Sequence, residues 1–210
     1  MFNVITPLSR YENLKYLIDF LEPLGITWHV ITDSDVKFKV SFDQDWIKHY
    51  ICPNKEVHFW ERCNHAINWF LDLGVVQNNL MYCMLNDDDA YEPDFFKKIA
   101  KAKEIAEQSK TNTDVIICSM ERGHKIPSTA VHPRMHPTTK LWAYPENMAI
   151  GSVGVEQIIL SGEVISKYRL PLEPEGDGMF ILEVLKHHPH IYVPQANVWF
   201  NYFEPERWVK

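Results

Sequence analysis

The sequence contains no basic tract, and its 28 acidic residues outnumber its 21 lysines and arginines, which gives a formal charge of −7. Because the phosphates of nucleic acids call for a Lys/Arg surface, this balance argues against a nucleic-acid partner. The sequence also has no run of 18 apolar residues, and its first residues lack a basic-then-apolar signal pattern. We therefore expect a soluble, cytoplasmic protein without a transmembrane segment.

Cysteine is scarce, and the four cysteines share no CxxC spacing that would indicate a zinc site. Buried free thiols are the expected state. Hydrophobic residues make up 46% of the chain, enough for a sizeable core, so general disorder is excluded. The length fits one domain over 1–210, with a nucleotide-binding half over about 1–120 and an acceptor-binding, catalytic half over about 121–210. It could also be one module of a longer multidomain chain.

Strand-like and helix-like segments alternate through the first 120 residues. The predicted strands are Phe2–Thr6, Ile26–Thr32, Leu80–Leu85 and Asp114–Ser119, with closing strands at Ile191–Val193 and Asn197–Tyr202. The predicted helices are 14–21, 61–73, one capped by Asp94 and one beginning at Met179. Ser9 and Glu12 have the spacing of a capping box before the first helix, and Gly25 is expected to end it. The alternation predicts an α/β fold with a mixed, mostly parallel central sheet flanked by helices. The proline- and histidine-containing segment Gly123–Asn147 is predicted to be a long functional loop.

Three aspartates, Asp87 to Asp89, directly follow the apolar run Leu80–Leu85, and no Lys or Arg lies within six residues of them. We therefore expect a group from outside the chain to neutralise them. If the segment is extended, Asp87 and Asp89 point to one side, where their oxygens could hold Mg²⁺ or Mn²⁺. The alternative is a solvated acidic turn. In parallel sheets, ligands bind beyond the carboxyl ends of the strands, which is where this triplet lies.

The triplet resembles the DXD motif of GT-A glycosyltransferases, in the DDD form of glucuronosyltransferase-type enzymes. Three further segments resemble parts of the same family in the same order: Val4-Ile5-Thr6-Pro7 with Arg10, Arg62-Cys63-Asn64-His65-Ala66, and Val198-Trp199. In the family, the first holds the nucleotide, the second contacts nucleotide and diphosphate, and the third closes the site. The resemblance covers most of Phe2 to Asp94, and it extends to small glycosyltransferase modules of large algal viruses, which would place the protein in a host cytoplasm.

The resemblance also implies roles for individual residues. It implies a Mn²⁺ or Mg²⁺ ion held by Asp89, with Asp87 as a second ligand, that stabilises a departing nucleoside diphosphate. The implied nucleotide-binding residues are Thr6, Pro7, Arg10, Asp33, Arg62, Asp87 and Asp88. An aspartate at position 33 could accept a hydrogen bond from the imide N–H of uracil, which favours a UDP-sugar donor. For the two arginines, surface ion pairs are the alternative.

An inverting transferase needs a carboxylate that deprotonates the acceptor hydroxyl. Asp177 is the candidate base, because the glycines on either side allow close approach of a substrate, and Glu175 is the reserve candidate. Helix N-capping is the structural alternative for Asp177. One position departs from the family: Phe200 follows the Val-Trp pair where the family has a metal-binding histidine. The ion would then depend on carboxylates, diphosphate and water.

These features predict a metal-dependent, inverting glycosyltransferase that moves a hexose from a UDP-sugar to a hydroxyl of a glycan or glycoprotein. A metal-dependent nucleotidyltransferase or phosphohydrolase could use the same acids. A nucleotide- or glycan-binding module without chemistry is the non-enzyme alternative. The remaining histidines, among them His132, His136, His187 and His188, are not assigned to a metal.

Overall fold

The computed structural model describes residues 1–33, 42, 44–52, 59–74, 76–126, 134–141, 148–150, 153–173, 175–200 and 203. The strands are β1 (Phe2–Pro7), β2 (Thr27–Asp33), β3 (Ile47–Cys52), β4 (Met81–Met84), β5 (Ala90–Tyr91), β6 (Val115–Ile126), β7 (Arg134–Leu141), β8 (Ile158–Ser161) and β9 (Ile191–Phe200). The helices are α1 (Leu14–Leu21), α2 (Phe59–Asp72), α3 (Phe95–Gln108), α4 (Gly162–Ile165) and α5 (Gly176–His187).

The described strands form a single sheet in the order β3-β2-β1-β4-β8-β6-β9-β5, with β7 paired to the far end of β6. Strands β3, β2, β1 and β4 run parallel to one another, and β6 runs parallel to β9. Strand β8 is antiparallel to both β4 and β6, and β5 is antiparallel to β9. The predicted α/β fold, with a mixed and mostly parallel sheet flanked by helices, is confirmed.

Each face of the sheet carries its own hydrophobic core. Alternate residues of a strand point to opposite faces, so Val4 of β1 packs with α1 and α3 while its neighbour Ile5 packs with α2 and α5. Strand β4 is buried along its whole length, as its unbroken apolar sequence predicts for a strand covered on both faces. The two helical layers therefore fix β1 and β4, and with them the loops that follow these strands.

The ends of α1 show one prediction that is confirmed and one that is wrong. Gly25 adopts φ +65° just after the helix and its short 3₁₀ extension, which is the glycine stop that the sequence predicts. A capping box from Ser9 to Glu12 was expected at the start, but the Ser9 hydroxyl donates to Asp87 instead. The residue at the N-cap of α1, Asn13, makes no side-chain capping bond. The Ser9 hydroxyl therefore binds a carboxylate that is distant in the sequence and does not take part in a capping box.

Two predicted segments differ from the structure in the second half of the chain. Strand β6 continues to Ile126 and pairs with β7 in an antiparallel hairpin, so much of the predicted loop Gly123–Asn147 is strand. His136 lies in β7 opposite His124, whereas His132 lies outside the described residues. The two predicted closing strands are parts of one continuous strand, β9, which includes Pro194. No helix in the described part of the chain is long and apolar enough to cross a membrane.

Candidate active site

The topology brings three parts of the chain to one edge of the sheet. Strands β1 and β4 are parallel neighbours, so the residues after Pro7 and after Met84 emerge at the same edge. Because β8 runs antiparallel to β4, the residues just before Ile158 also lie at that edge. The acid triplet that follows β4 is therefore flanked by the loop after β1 on one side and by the turn before β8 on the other.

Asp87 binds the loop after β1. The backbone N–H groups of Ser9 and Arg10 donate to its Oδ2 at 2.5 and 2.6 Å, and the Ser9 hydroxyl donates to the same oxygen at 2.8 Å. Arg10 Nη1 donates to Oδ1 at 2.5 Å. Asn13 Nδ2 also donates to the backbone carbonyl of Asp87 at 2.9 Å. With 2% of its side chain exposed, Asp87 is a buried anchor for this loop.

Arg10 also supplies the positive charge that the neighbouring sequence lacks. Its Nη2 lies 3.3 Å from Asp88 Oδ2, in addition to the contact with Asp87. The expectation that all three aspartates are neutralised from outside the chain is therefore wrong for the first two. The prediction that Arg10 contacts nucleotide stays a prediction, and its guanidinium is 31% exposed.

The triplet is a turn and not an extended segment. Strand β4 ends at Met84, and the Asp89 N–H donates to the Asn86 carbonyl at 3.2 Å. The expectation that the Asp87 and Asp89 side chains point to the same side of an extended segment is therefore wrong. Asp87 is directed to the loop after β1, and Asp89 Oδ2 accepts a hydrogen bond from Asn86 Nδ2 at 3.0 Å. Metal ligation by Asp87 stays a prediction, but its oxygens already accept four hydrogen bonds.

Asp89 lies in a second acidic group with Glu156, from the turn before β8. Asn86 Nδ2 donates to Asp89 Oδ2 and also to Glu156 Oε1, so one amide group joins the two carboxyl groups. Asp89 is fully buried, and Glu156 is 2% exposed. Burial raises the pKa of Glu156 from 4.5 to about 7, and the charges of Asp177 and Asp88 act in the same direction.

The charge of Asp177 acts on Glu156, and α5 packs against the turn Val155–Gln157, so Asp177 lies close to the Glu156 turn. Asp177 is half-buried in the first turn of α5, where the helix N-terminus favours a negative charge. Its Oδ1 accepts a hydrogen bond from the Gly178 N–H at 2.7 Å. The N-cap residue is Glu175, so Asp177 is not the N-cap, although its carboxylate binds an N–H group of the first turn.

The other predicted nucleotide-binding residues lie around this edge. Thr6 and Pro7, at the end of β1, are buried, and the Thr6 hydroxyl accepts a hydrogen bond from Trp28 Nε1 at 2.9 Å. Asp33 ends β2, as predicted, although its side chain lies outside the described part. Arg62 is half-buried in the first half of α2. Their roles in nucleotide binding stay predictions.

Asn64, from the segment that resembles a diphosphate-binding helix start, has a structural contact. Its side-chain amide donates to the Leu170 carbonyl and accepts from the Leu170 N–H, both at 2.8 Å. This pair of bonds ties α2 to the segment that leads into α5. Asn64 therefore fixes the backbone at Leu170 against α2.

Strand β9 lies beside the triplet through its pairing with β5, and the role of Val198-Trp199 in closing a nucleotide site stays a prediction. Ala90 pairs with Trp199, which places the backbone of Phe200 next to that of Asp89. The Phe203 N–H also donates to the Asp88 carbonyl at 2.8 Å. Phe200 thus occupies the position along β9 where the resemblance expects a histidine ligand.

Sequence reasoning missed Glu156, Asn86 and Ser9. Glu156 lies 67 residues after Asp89 and in no recognisable motif, so its proximity depends on β8 pairing with β4, which the sequence pattern does not predict. Asn86 directly precedes the triplet and could have been noted as a polar side chain at a strand end. Within the described residues, no three His, Cys, Asp or Glu side chains are arranged to hold a metal ion by themselves.

Many solved structures are similar to this chain, among them two of TarS and one of a synthase. Residues 1–349 of S. aureus TarS match with a TM-score of 0.56 and 15% identity, covering 94% of this chain and 59% of that one. A longer TarS chain matches with a TM-score of 0.59 and 14% identity, covering 94% and 36%. A 4-diphosphocytidyl-2C-methyl-D-erythritol synthase matches with a TM-score of 0.55 and 10% identity, covering 92% and 88%. No family model and no curated protein sequence matches the chain.

These similarities support a GT-A-like α/β fold. The chain spans less than two thirds of either TarS chain, and it spans most of the synthase. At 10% to 15% identity, the likeness extends to the fold and not to particular residues. The DXD assignment, the metal ion and the resemblance to viral modules stay predictions.

Proposed function

We propose that the protein is a metal-dependent glycosyltransferase that transfers a hexose from a UDP-sugar to a hydroxyl of a glycan or glycoprotein, with inversion. One observation carries the proposal. Carboxyl groups from three distant parts of the chain, at 87–89, 156 and 177, come together at the carboxyl edge of a parallel sheet. Crowded acids at this edge are expected where a cation and a phosphorylated ligand bind.

The similar structures support a transferase that uses nucleotides. TarS is a glycosyltransferase, and the name of the synthase identifies a diphosphocytidyl product. Both kinds of enzyme handle an activated nucleoside diphosphate or triphosphate, whose negative charge needs compensation. In this chain, a bare acidic edge would repel such a ligand, so a cation between them is part of the proposal.

The residues fit a divalent cation of the Mn²⁺ or Mg²⁺ type. Carboxylate oxygens are the preferred ligands of these ions, and Asp89 is fully buried beside a second buried carboxyl group. We assign Asp89 as the metal ligand. When bound, the ion would act as a Lewis acid that stabilises the departing diphosphate. Asp87 instead shapes the nucleotide loop, since its oxygens are bound to Ser9 and Arg10.

Asp177 accepts the proton of the acceptor hydroxyl in this proposal. It is half-buried in the first turn of α5, it lies close to the Glu156 turn, and a glycine flanks it on either side in the sequence. Arg10 and Arg62 provide positive charge for the nucleotide, and the aspartate at position 33 is assigned to the imide N–H of uracil.

Calorimetry of UDP, GDP and CMP binding, with and without Mn²⁺, tests the proposal. We expect UDP to bind with Mn²⁺ present and to lose its binding heat when the ion is chelated. Asp89→Ala should abolish the metal-dependent part of this heat. If the variant binds UDP as tightly as the wild type at equal Mn²⁺, the assignment of the cation to this edge is wrong.

A nucleotidyltransferase is the second candidate, because this chain matches the synthase with a TM-score of 0.55 over 88% of the synthase's own length. The two functions predict different products. Incubation with UTP or CTP, Mg²⁺ and a sugar or polyol phosphate would release pyrophosphate from a nucleotidyltransferase. Incubation with UDP-sugars would release UDP from a glycosyltransferase, in proportion to the acceptor added.

A further inference from the structure

We propose that Glu156 is a second protein ligand of the divalent cation, beside Asp89. The inference rests on the proposed function and names a residue that neither the triplet nor the family resemblance includes. Phe200 stands where the family resemblance expects a histidine ligand, and Glu156 would supply a carboxylate ligand instead. The two acidic side chains come from the two antiparallel neighbours β4 and β8, one just after its strand and the other just before.

The contact between the two carboxyl groups is direct. Asn86 Nδ2 touches Asp89 Oδ2 at 3.0 Å and also touches Glu156 Oε1, and the two carboxyl groups contact each other. Both side chains are almost completely removed from water. Two buried carboxylates in contact are unfavourable unless a proton or a cation lies between them. A divalent cation satisfies this requirement with the ligand type that it prefers.

The first two aspartates of the triplet are less suited to this role. Asp87 accepts four hydrogen bonds from Ser9 and Arg10, and Asp88 lies 3.3 Å from the Arg10 guanidinium. Each already faces the positive charge of Arg10, which would oppose a bound cation. Glu156 instead faces Asp89, the Asn86 amide and its own backbone N–H. Its carboxylate is therefore the better second ligand in the part of the chain that the structure describes.

Gly154 leaves the space that the Glu156 side chain occupies. A Cβ atom at position 154 would lie 2.3 Å from Glu156 Oε2 and 2.9 Å from Met120 Cε, both too close. The turn itself is anchored by Gln157, which accepts a hydrogen bond from the Gly154 N–H at 3.0 Å and donates to the Cys118 carbonyl at 3.1 Å. The glutamate is thus held toward Asp89 by a rigid, buried turn, as a metal ligand needs to be.

The first test measures Mn²⁺ binding in the absence of sugar transfer. The EPR signal of free Mn²⁺ is titrated with full-length protein in the presence of UDP, for the wild type, Asp89→Asn and Glu156→Gln. We expect both variants to bind Mn²⁺ at least tenfold more weakly. Glu163→Gln is the matched control, because Glu163 is an exposed glutamate on α4, and it should bind as the wild type does.

The second test distinguishes a ligand from a residue that merely supports Asp89. In Glu156→Cys, a thiolate replaces the carboxylate, and Co²⁺ bound to it should give a sulfur-to-cobalt charge-transfer band in the near ultraviolet. Wild-type protein with Co²⁺ is the control, since its four cysteines are buried and free. Absence of the band in a folded variant that still binds Co²⁺ overturns ligation by Glu156.

The outcomes separate this inference from the proposed function. If Asp89→Asn loses Mn²⁺ and Glu156→Gln binds it within threefold of the wild type, the cation site stands and the role of Glu156 is refuted. If both variants bind Mn²⁺ as the wild type does, the cation site itself is refuted, and this inference with it. If Glu156→Gln does not fold, the cobalt spectrum of Glu156→Cys decides.

Discussion

Asp87→Ala should destabilise the protein even when every divalent cation is removed. Asp87 is 2% exposed and accepts two backbone N–H groups, one hydroxyl and one guanidinium N–H from Ser9 and Arg10. Ser9 is exposed and Arg10 is half-buried, so their donors can regain water in part, and each of the four hydrogen bonds contributes about 1 kcal/mol. We expect a total loss of about 3–5 kcal/mol.

Urea unfolding in EDTA, followed by tryptophan fluorescence, measures this loss, and the seven tryptophans give ample signal. A loss of this size corresponds to a fall in Tm of roughly 10 °C for a chain of this length. Arg10→Ala should cost about 1 kcal/mol, because the backbone N–H groups keep their acceptor. Asp19→Ala, which removes an exposed aspartate on α1, is the control and should change stability by less than about 0.5 kcal/mol.

The opposite result has a clear meaning. If the triplet were a cluster of mutually repelling charges that waits for an external cation, removing one charge would relieve repulsion. Asp87→Ala would then be as stable as the wild type in EDTA, or more stable. That outcome would refute the conclusion that Asp87 anchors the loop after β1, and it would return Asp87 to the candidate metal ligands.

Three further predictions concern other parts of the molecule. Burial and the charge of Lys48 lower the pKa of His29 from 6.5 to about 4. The free energy of unfolding should therefore keep its full value above pH 6.5 and fall by about 3 kcal/mol as the pH drops toward 4. Urea unfolding at several pH values tests this, and His29→Gln should flatten the profile. Gly162→Ala should cost more than about 2 kcal/mol in urea unfolding, because its Cβ would lie 2.2 Å from the Gln77 carbonyl oxygen, and a cost below about 0.5 kcal/mol would contradict that geometry. Asp177→Asn should keep UDP binding with Mn²⁺ and lose sugar transfer by at least about a hundredfold, and full transfer would exclude Asp177 as the base.

The sequence predicts much of the fold because local patterns determine the elements of its first half. The alternation of strands and helices, the apolar run of β4 and the glycine stop at Gly25 each depend on neighbouring residues. The second half is harder, since its strands are specified by pairing. Residues of β6 extend far past the apolar segment Asp114–Ser119 because β7 and β9 pair with them. Nothing in the pattern of Gly123–Asn147 indicates that hairpin.

The candidate site divides in the same way. The position of the acid triplet at a strand end, the first strand that precedes Arg10 and the location of Asp177 just before a predicted helix at Met179 follow from the sequence. The partners of these residues do not, because they depend on which strands lie side by side. The Ser9 hydroxyl donates a hydrogen bond to Asp87, 78 residues away in the sequence, and Glu156 accepts one from Asn86, 70 residues away. Long-range contacts of this kind leave no local signal.

The structure also changes how much charge the site must neutralise from outside. The sequence presents three aspartates with no positive residue near them, but Arg10 contacts two of these, Asp87 and Asp88. The third, Asp89, is buried against Glu156. When ionised, this pair carries two negative charges, which one divalent cation balances. The demand for a cation is therefore concentrated at Asp89 and Glu156, where loss of Mn²⁺ binding in the two variants would be measured.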